Sequence, residues 1–376
     1  MADGVLFRHR RLARLFREEW FLAISVLTSL AVLGFEGALF EQLSDPFWLG
    51  FVFFTLFAAV LGSALSVVRH ADHLAEELGE PYGTLILTLA ITSIEVMAIS
   101  AVMIHGDNNP TLARDTLFAV IMIILNGMVG LSLLFGAWRR PEQFHNMQGA
   151  NAYLGVIVPL ATLSLIMPSF LHTPGGPHPS APRQIVLGVI SIGLYGIFLM
   201  LQAGRHHSYF AEESEPSVAQ ENGSGARSIW LHTALLFAYM LPVVYLVEQL
   251  AQPIDYVIET LHAPAAFGGV VMAVLVATPE AISAVRASIS NHLQRSINIF
   301  LGSVLSTIGL TVPAMLAISY IVGRPVTLGV EGYDLVMLVL TLAVSIITFA
   351  SGRTHVMQGA VHLVLFLAYV LLIFQR

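Results

Sequence analysis

Two glutamates stand where a carboxylate is costly. Glu95 lies inside GTLILTLAITSIEVMAISAVMI and Glu280 inside GGVVMAVLVATPEAISAVRASI, both apolar runs long enough to cross a bilayer. A charge at the centre of such a run opposes insertion by about 2.5–3.5 kcal/mol, so its default meaning is functional. Polar groups at suggestive spacings accompany them. Ser303, Ser306 and Thr307 share one helical face, Asn126 interrupts another apolar run, and Thr92 and Thr278 stand beside the glutamates. Pro279 brings no amide hydrogen, which predicts a helix break that frees the carbonyl of Leu275 for a cation. Oxygen-only donors suit hard cations such as Ca²⁺, Na⁺ or K⁺. The chain has no cysteine and no cysteine/histidine cluster, which excludes thiol redox chemistry and argues against zinc or copper. With no lysine, Schiff-base chemistry is excluded too.

Such a pair also implies an exchange. Taking a carboxyl out of water favours its protonated form, and a bound cation favours the ionised one. Protons and cations then compete for one coupled pair. A protein that changes face only when loaded would trade one for the other.

The elements that hold these residues are membrane spans. Only 11% of the 376 residues are charged, against about 25% in a soluble domain. Apolar runs fall at 20–40, 47–68, 82–104, 116–137, 150–171, 184–203, 229–249, 264–290, 296–321, 333–350 and 357–375. The expectation is an all-α membrane protein of about eleven spans. A cytoplasmic N-terminus puts Arg114, Arg183, Arg324 and Arg376 outside and the other thirteen arginines inside, as the positive-inside rule requires. The C-terminus is then outside. The Arg-rich start carries no cleavage site and reads as the approach to a first span.

The spans divide into 1–46 (lead-in and first helix), 47–203 (five spans), 204–228 (an acidic linker) and 229–376 (five spans). Gly83 precedes Glu95 by twelve residues, as Gly268 precedes Glu280, and each glutamate occupies the second span of its half. Aligning Arg114 with Arg295 sets Asn126 opposite Thr307. Five spans per half insert the halves in opposite senses, giving inverted repeats with a site near the midplane. A second likeness, HNMQGA at 145–150 and HVMQGA at 355–360, fits no common register and receives no weight. Glu36 reads as an interfacial residue near its span's outer end. His70 and His73 are placed on a segment before the third span, in reach of cytoplasmic pH.

At this point GTLILTLAITSIEV, LARDTLFAVIMIILNG, ATPEAISAVRASISNHLQRSINIFLGSVLSTIGLTVPA and SGRTHVMQGAVHLVLF resemble the cation/calcium exchanger superfamily, in its bacterial calcium(sodium, potassium)/proton antiporter branch. The resemblance covers nearly the whole chain. It implies that Glu95 and Glu280 bind the cation and take up protons, with Ser303 and Asn126 in the matching polar segments. The sequence departs from the wider family's Gly-Asn-x-x-Glu pattern: Ile91-Thr92 and Val276-Ala277 replace both Gly-Asn pairs, and Thr307 replaces a glutamine or asparagine. Weaker donors leave Na⁺ and K⁺ beside Ca²⁺ as cargo.

The reading is a secondary-active antiporter of a bacterial inner membrane, multi-pass and not an enzyme, that exports Ca²⁺, with Na⁺ or K⁺ as further candidate cargo, in exchange for protons by alternating access. It takes inorganic cations and protons as partners, binds no nucleic acid and needs no cofactor; a homo-oligomer is left open. The rivals are an intramembrane hydrolase, a cation channel and a structural subunit. No aspartate lies mid-span and no HExxH occurs, which counts against the hydrolase. The inverted halves favour alternating access over a pore, and the paired glutamates count against an inert subunit.

Overall fold

The computed structural model describes residues 19–78, 82–105, 111–170, 181–204, 206–210, 226–264, 266–323 and 326–374. The Arg-rich N-terminal segment and most of the acidic linker lie outside these residues. Eleven helical rods result, in chain order: α1 (Trp20–Phe40), α2 (Pro46–Leu78), α3 (Tyr82–His105), and α4 (Leu112–Met122, continued through a π-helical turn at Ile123–Met128 into Val129–Arg139). Next come α5 (Met147–Ala161, then a π turn at Thr162–Ile166 and Met167–Phe170), α6 (Ala181–Ala203) and α7 (Ala226–Asp255, with a π turn at Tyr256–Thr260). The last four are α8 (Ala266–Ile289), α9 (Leu293–Ser306, a π turn at Thr307–Thr311, then Val312–Val322), α10 (Tyr333–Phe349) and α11 (Val356–Ile373). Among the described residues nine are long and apolar enough to cross a membrane, and shorter apolar stretches in α3 and α10 complete the eleven. This is one leading helix followed by two inverted sets of five.

The rods overrun their apolar runs in two places. α2 continues to Leu78 through RHADHLAEEL, rich in helix formers and free of glycine and proline, with Ala71 and Leu74 buried. His70 and His73 therefore ride the last turns of the second span's own helix, which corrects their placement on a separate segment before the third. The break expected at Pro279 is also absent: α8 runs through it as one helix with the ring buried. One lost hydrogen bond bends or weakens a helix, but packing of Leu275 and Val276 into one core and Ala277 into the other keeps the chain helical through it. Two of the four π turns among the described residues fall in the third spans, one in each half. One contains Asn126 and the other begins at Thr307, the residues that the repeat register sets opposite each other. Such π turns cluster at functional sites.

Two apolar cores hold the rods. α2 and α7, the first spans of the two halves, pack side by side with parts of α3 and α8 into one core. α4, α5, α6, α8, α9, α10 and α11 build the other. α8 belongs to both, which explains its small residues. A Cβ at Gly269 would sit 2.9 Å from the Asp115 carbonyl carbon and the Thr116 nitrogen, so α8 and α4 touch backbone to backbone there. α1 leans on the outside, anchored by a 2.6 Å hydrogen bond between Ser25 and Ser63, and turns Leu27, Leu30 and Leu33 outward. Outward apolar faces of this kind suit lipid.

A short antiparallel ladder joins the two halves at one end. β1 (Glu142–Phe144) pairs with β2 (Arg353–His355) in the register Glu142↔His355, Gln143↔Thr354, Phe144↔Arg353. The HNMQGA and HVMQGA motifs run from these strands into α5 and α11. They are not repeat equivalents, yet they meet in space.

Candidate cation-binding site

The glutamates of α3 and α8 are 2% and 6% exposed. A single helix serves both. Ser303 of α9 donates to Glu280 Oε2. One turn on, Thr307 donates to Glu95 Oε2 at 3.1 Å, and Thr311 donates to the same oxygen at 2.9 Å. α9 can do this because its π turn begins at Thr307 and its next turn still faces α3. Glu95 Oε1 and Thr92 Oγ1, one helical turn apart, are buried without a hydrogen-bond partner. Buried oxygens left unpaired are costly unless something else binds them.

The other expected ligands fall into two groups. Ser306 lies beside Ser303 but donates its hydroxyl to the Ser303 carbonyl at 2.9 Å. Thr278 likewise bonds its own helix at Val274. Asn126 is fully buried but turned away from both glutamates. Its amide nitrogen donates to Thr341 Oγ1 at 2.8 Å, and its oxygen faces His362 Nδ1 at 3.3 Å. The two third spans are thus unequal here: α9 reaches across to the carboxylates while α4 is tied to α10 and α11. Sequence reasoning missed Thr311, although it continues the Ser303–Thr307 face by one turn. It also missed His362, whose place inside an apolar run was itself a signal.

A cavity of about 410 Å³ leads to the site. Glu280, Ser283, Ser303 and Ser306 line its deep part; Asp72, Gln202, His207, Arg295 and Asn298 line the part at the helix ends. The short helix His207–Phe210 forms its lip, fixed to α9 by Asn298 Nδ2 donating to the Phe210 carbonyl at 2.7 Å. The cavity therefore connects Glu280 to the face that carries Arg295.

His70 and His73 lie apart from this. Glu19 Oε2 accepts from Arg69 at 2.6 Å and from Tyr239 OH at 2.8 Å, and meets His70 Nε2 at 3.3 Å. The other ring nitrogen of His70 faces His232 Nδ1 at 3.0 Å. His73 is exposed, its ring 4.8 Å from that of His232. Among the described residues no group of three or more His, Asp or Glu is arranged as a metal cage.

Comparison with known proteins adds the following. The model of the sodium/calcium exchanger protein family matches residues 47–204 and 231–375. The chain is 42% identical over 313 residues to the "Putative ionic transporter y4hA" of Sinorhizobium fredii, covering 83% of this chain and 85% of that protein. It is 39% identical over 320 residues to the "Sodium-potassium/proton antiporter ChaA" of Escherichia coli, covering 84% and 86%. In fold it is similar to native YfkE, with a TM-score of 0.73 at 18% identity over 95% of this chain and 100% of that one. It is similar also to the H⁺/Ca²⁺ exchanger CAX, with a TM-score of 0.63 at 15% identity over 94% and 88%.

Proposed function

Because the chain belongs to the sodium/calcium exchanger family, we propose that it is a secondary-active antiporter that exports Na⁺, K⁺ or Ca²⁺ across a bacterial inner membrane in exchange for protons. The observation that carries this is the pair of buried glutamates from matched positions of the two halves, both bonded by hydroxyls of one helix, with Glu280 lining a cavity. The name borne by the Escherichia coli relative supports the choice of ions.

The chemistry follows from charge. An ionised, empty pair would carry two uncompensated carboxylates through a low-dielectric interior, which is the costly state. A cation balances that charge, and so do protons, so the protein changes face loaded with one or the other. Glu95 Oε1 and Thr92 Oγ1, unpaired and buried, are the oxygens that the first repeat offers the ion. Glu280 supplies the second carboxylate at the cavity's end. The residue span 47–203 acts as one half, 229–376 as the other, with 1–46 leading in and 204–228 linking them on the cytoplasmic side. The thirteen arginines assigned to that side support an N-terminus inside and a C-terminus outside.

The test is proton flux in proteoliposomes with Na⁺, K⁺ and Ca²⁺ offered separately. Glu95→Gln and Glu280→Gln should each insert normally and abolish exchange. Full exchange by both variants would sink the proposal, and a peptide-cleaving activity would favour a hydrolase instead.

A further inference from the structure

Thr311 is fully buried on the π turn of α9 and donates to Glu95 Oε2 at 2.9 Å, where Thr307 already donates at 3.1 Å. A carboxylate has about four lone-pair positions, two on each oxygen. Two hydroxyl donors therefore use up Oε2. The remaining oxygen, Oε1, accepts from nothing and lies one turn from the equally unpaired Thr92 hydroxyl. Glu95 is left with one oxygen to give an ion.

That count bears on which ion is preferred. Ca²⁺ takes six to eight oxygens and commonly grips a carboxylate through both of its oxygens. A monovalent cation carries half the charge and gains less from the second oxygen. We infer that Thr311 is a selectivity-determining positioning residue: acting through Glu95, it makes that carboxylate a one-oxygen ligand and tilts the site toward monovalent cations. The inference rests on the reading of this chain as a cation/proton antiporter. A Thr311 that only filled space would alter stability and flux alike for every cation. One that sets the ligand count alters the ratio between them.

The experiment uses the full-length protein in proteoliposomes and measures half-saturating concentrations for Na⁺, K⁺ and Ca²⁺ in turn. Thr311→Val keeps the shape and removes the donor; Thr311→Ser keeps the donor. In Thr311→Val the half-saturating Ca²⁺ concentration should fall relative to that for Na⁺ by about tenfold, the worth of one hydrogen bond to a charged group. Thr311→Ser should keep the wild-type ratio. Thr311→Ala repeats the comparison should the valine variant insert poorly. Ion-dependent melting in detergent reads the same ratio for any variant too slow to transport. A ratio unchanged in both donor-free variants, whatever their total flux, overturns the inference while leaving the antiporter reading intact. Wild-type vesicles that exchange none of the three cations for protons overturn that reading and the inference with it.

Discussion

His362 is fully buried in α11, and both ring nitrogens are engaged: Nδ1 donates to Asn126 Oδ1 at 3.3 Å, and Nε2 faces the Thr348 hydroxyl at 2.9 Å. His362→Leu would strand both partners, at about 1–3 kcal/mol for each buried group left unpaired. The variant should melt well below wild type in detergent, with His362→Gln in between. Equal melting of the leucine variant would show that the network contributes nothing. The network also marks what a sequence can tell at this scale. Glu95 and Glu280 were legible because the cost of a carboxylate in an apolar run is a property of the run itself. Asn126 was legible as a polar interruption, but not its direction. Whether it meets a glutamate or His362 depends on the rotation of α4 against α8, α10 and α11, which only packing decides. Thr311 was hidden for the reverse reason: a threonine in a span is ordinarily satisfied by its own helix, as Thr278 is.

The joint between β1 and β2 sits where the sequence offered a likeness without a meaning. HNMQGA and HVMQGA fail as repeat equivalents because they precede different spans of their halves. They match because each does the same local task, turning a strand into a helix. Asn146 Oδ1 accepts from the Gln148 and Gly149 amides at the head of α5, and His355 with Gln358 closes a reciprocal cap on α11. Gln143 ties the joint to α8 by donating to the Ser288 carbonyl at 2.9 Å. His145 completes it, with Nε2 donating to the Phe349 carbonyl at 3.3 Å and Nδ1 buried without a partner. Burial pushes this imidazole below its ordinary value of 6.5, so the folded joint holds it neutral. The unfolded chain takes up the proton first as pH falls. Stability contributed by the neutral ring is therefore full above about pH 6.5 and is lost as pH drops from there toward the folded value. Between about pH 7.5 and about pH 5.5 wild type should lose more melting temperature than His145→Gln, which cannot titrate. Parallel pH curves for the two proteins would remove His145 as a cause.

At the scale of the molecule, the span number and its division into one leading helix and two sets of five were legible, because both follow from hydropathy counted along the chain. The side on which the site opens was not, since a carrier's sequence encodes both of its faces. Here Glu280 and Ser283 communicate through the cavity with the Arg295 end, while Glu331, exposed between α9 and α10, lies at the other end of the rods. The natural absence of cysteine makes this directly testable, since a single introduced thiol is the only one present. Ser283→Cys should react with a membrane-impermeant thiol reagent in inside-out vesicles and much more slowly in right-side-out ones. Glu331→Cys should show the opposite preference. Addition of the transported cation should slow the Ser283→Cys reaction, because the ion is drawn to the carboxylate at the end of the same cavity. A pore lined by fixed carboxylates would instead admit the reagent to Ser283→Cys from both faces at once. Equal labelling from either side would therefore overturn alternating access in favour of a channel, whereas one-sided, cation-protected labelling is what a carrier requires.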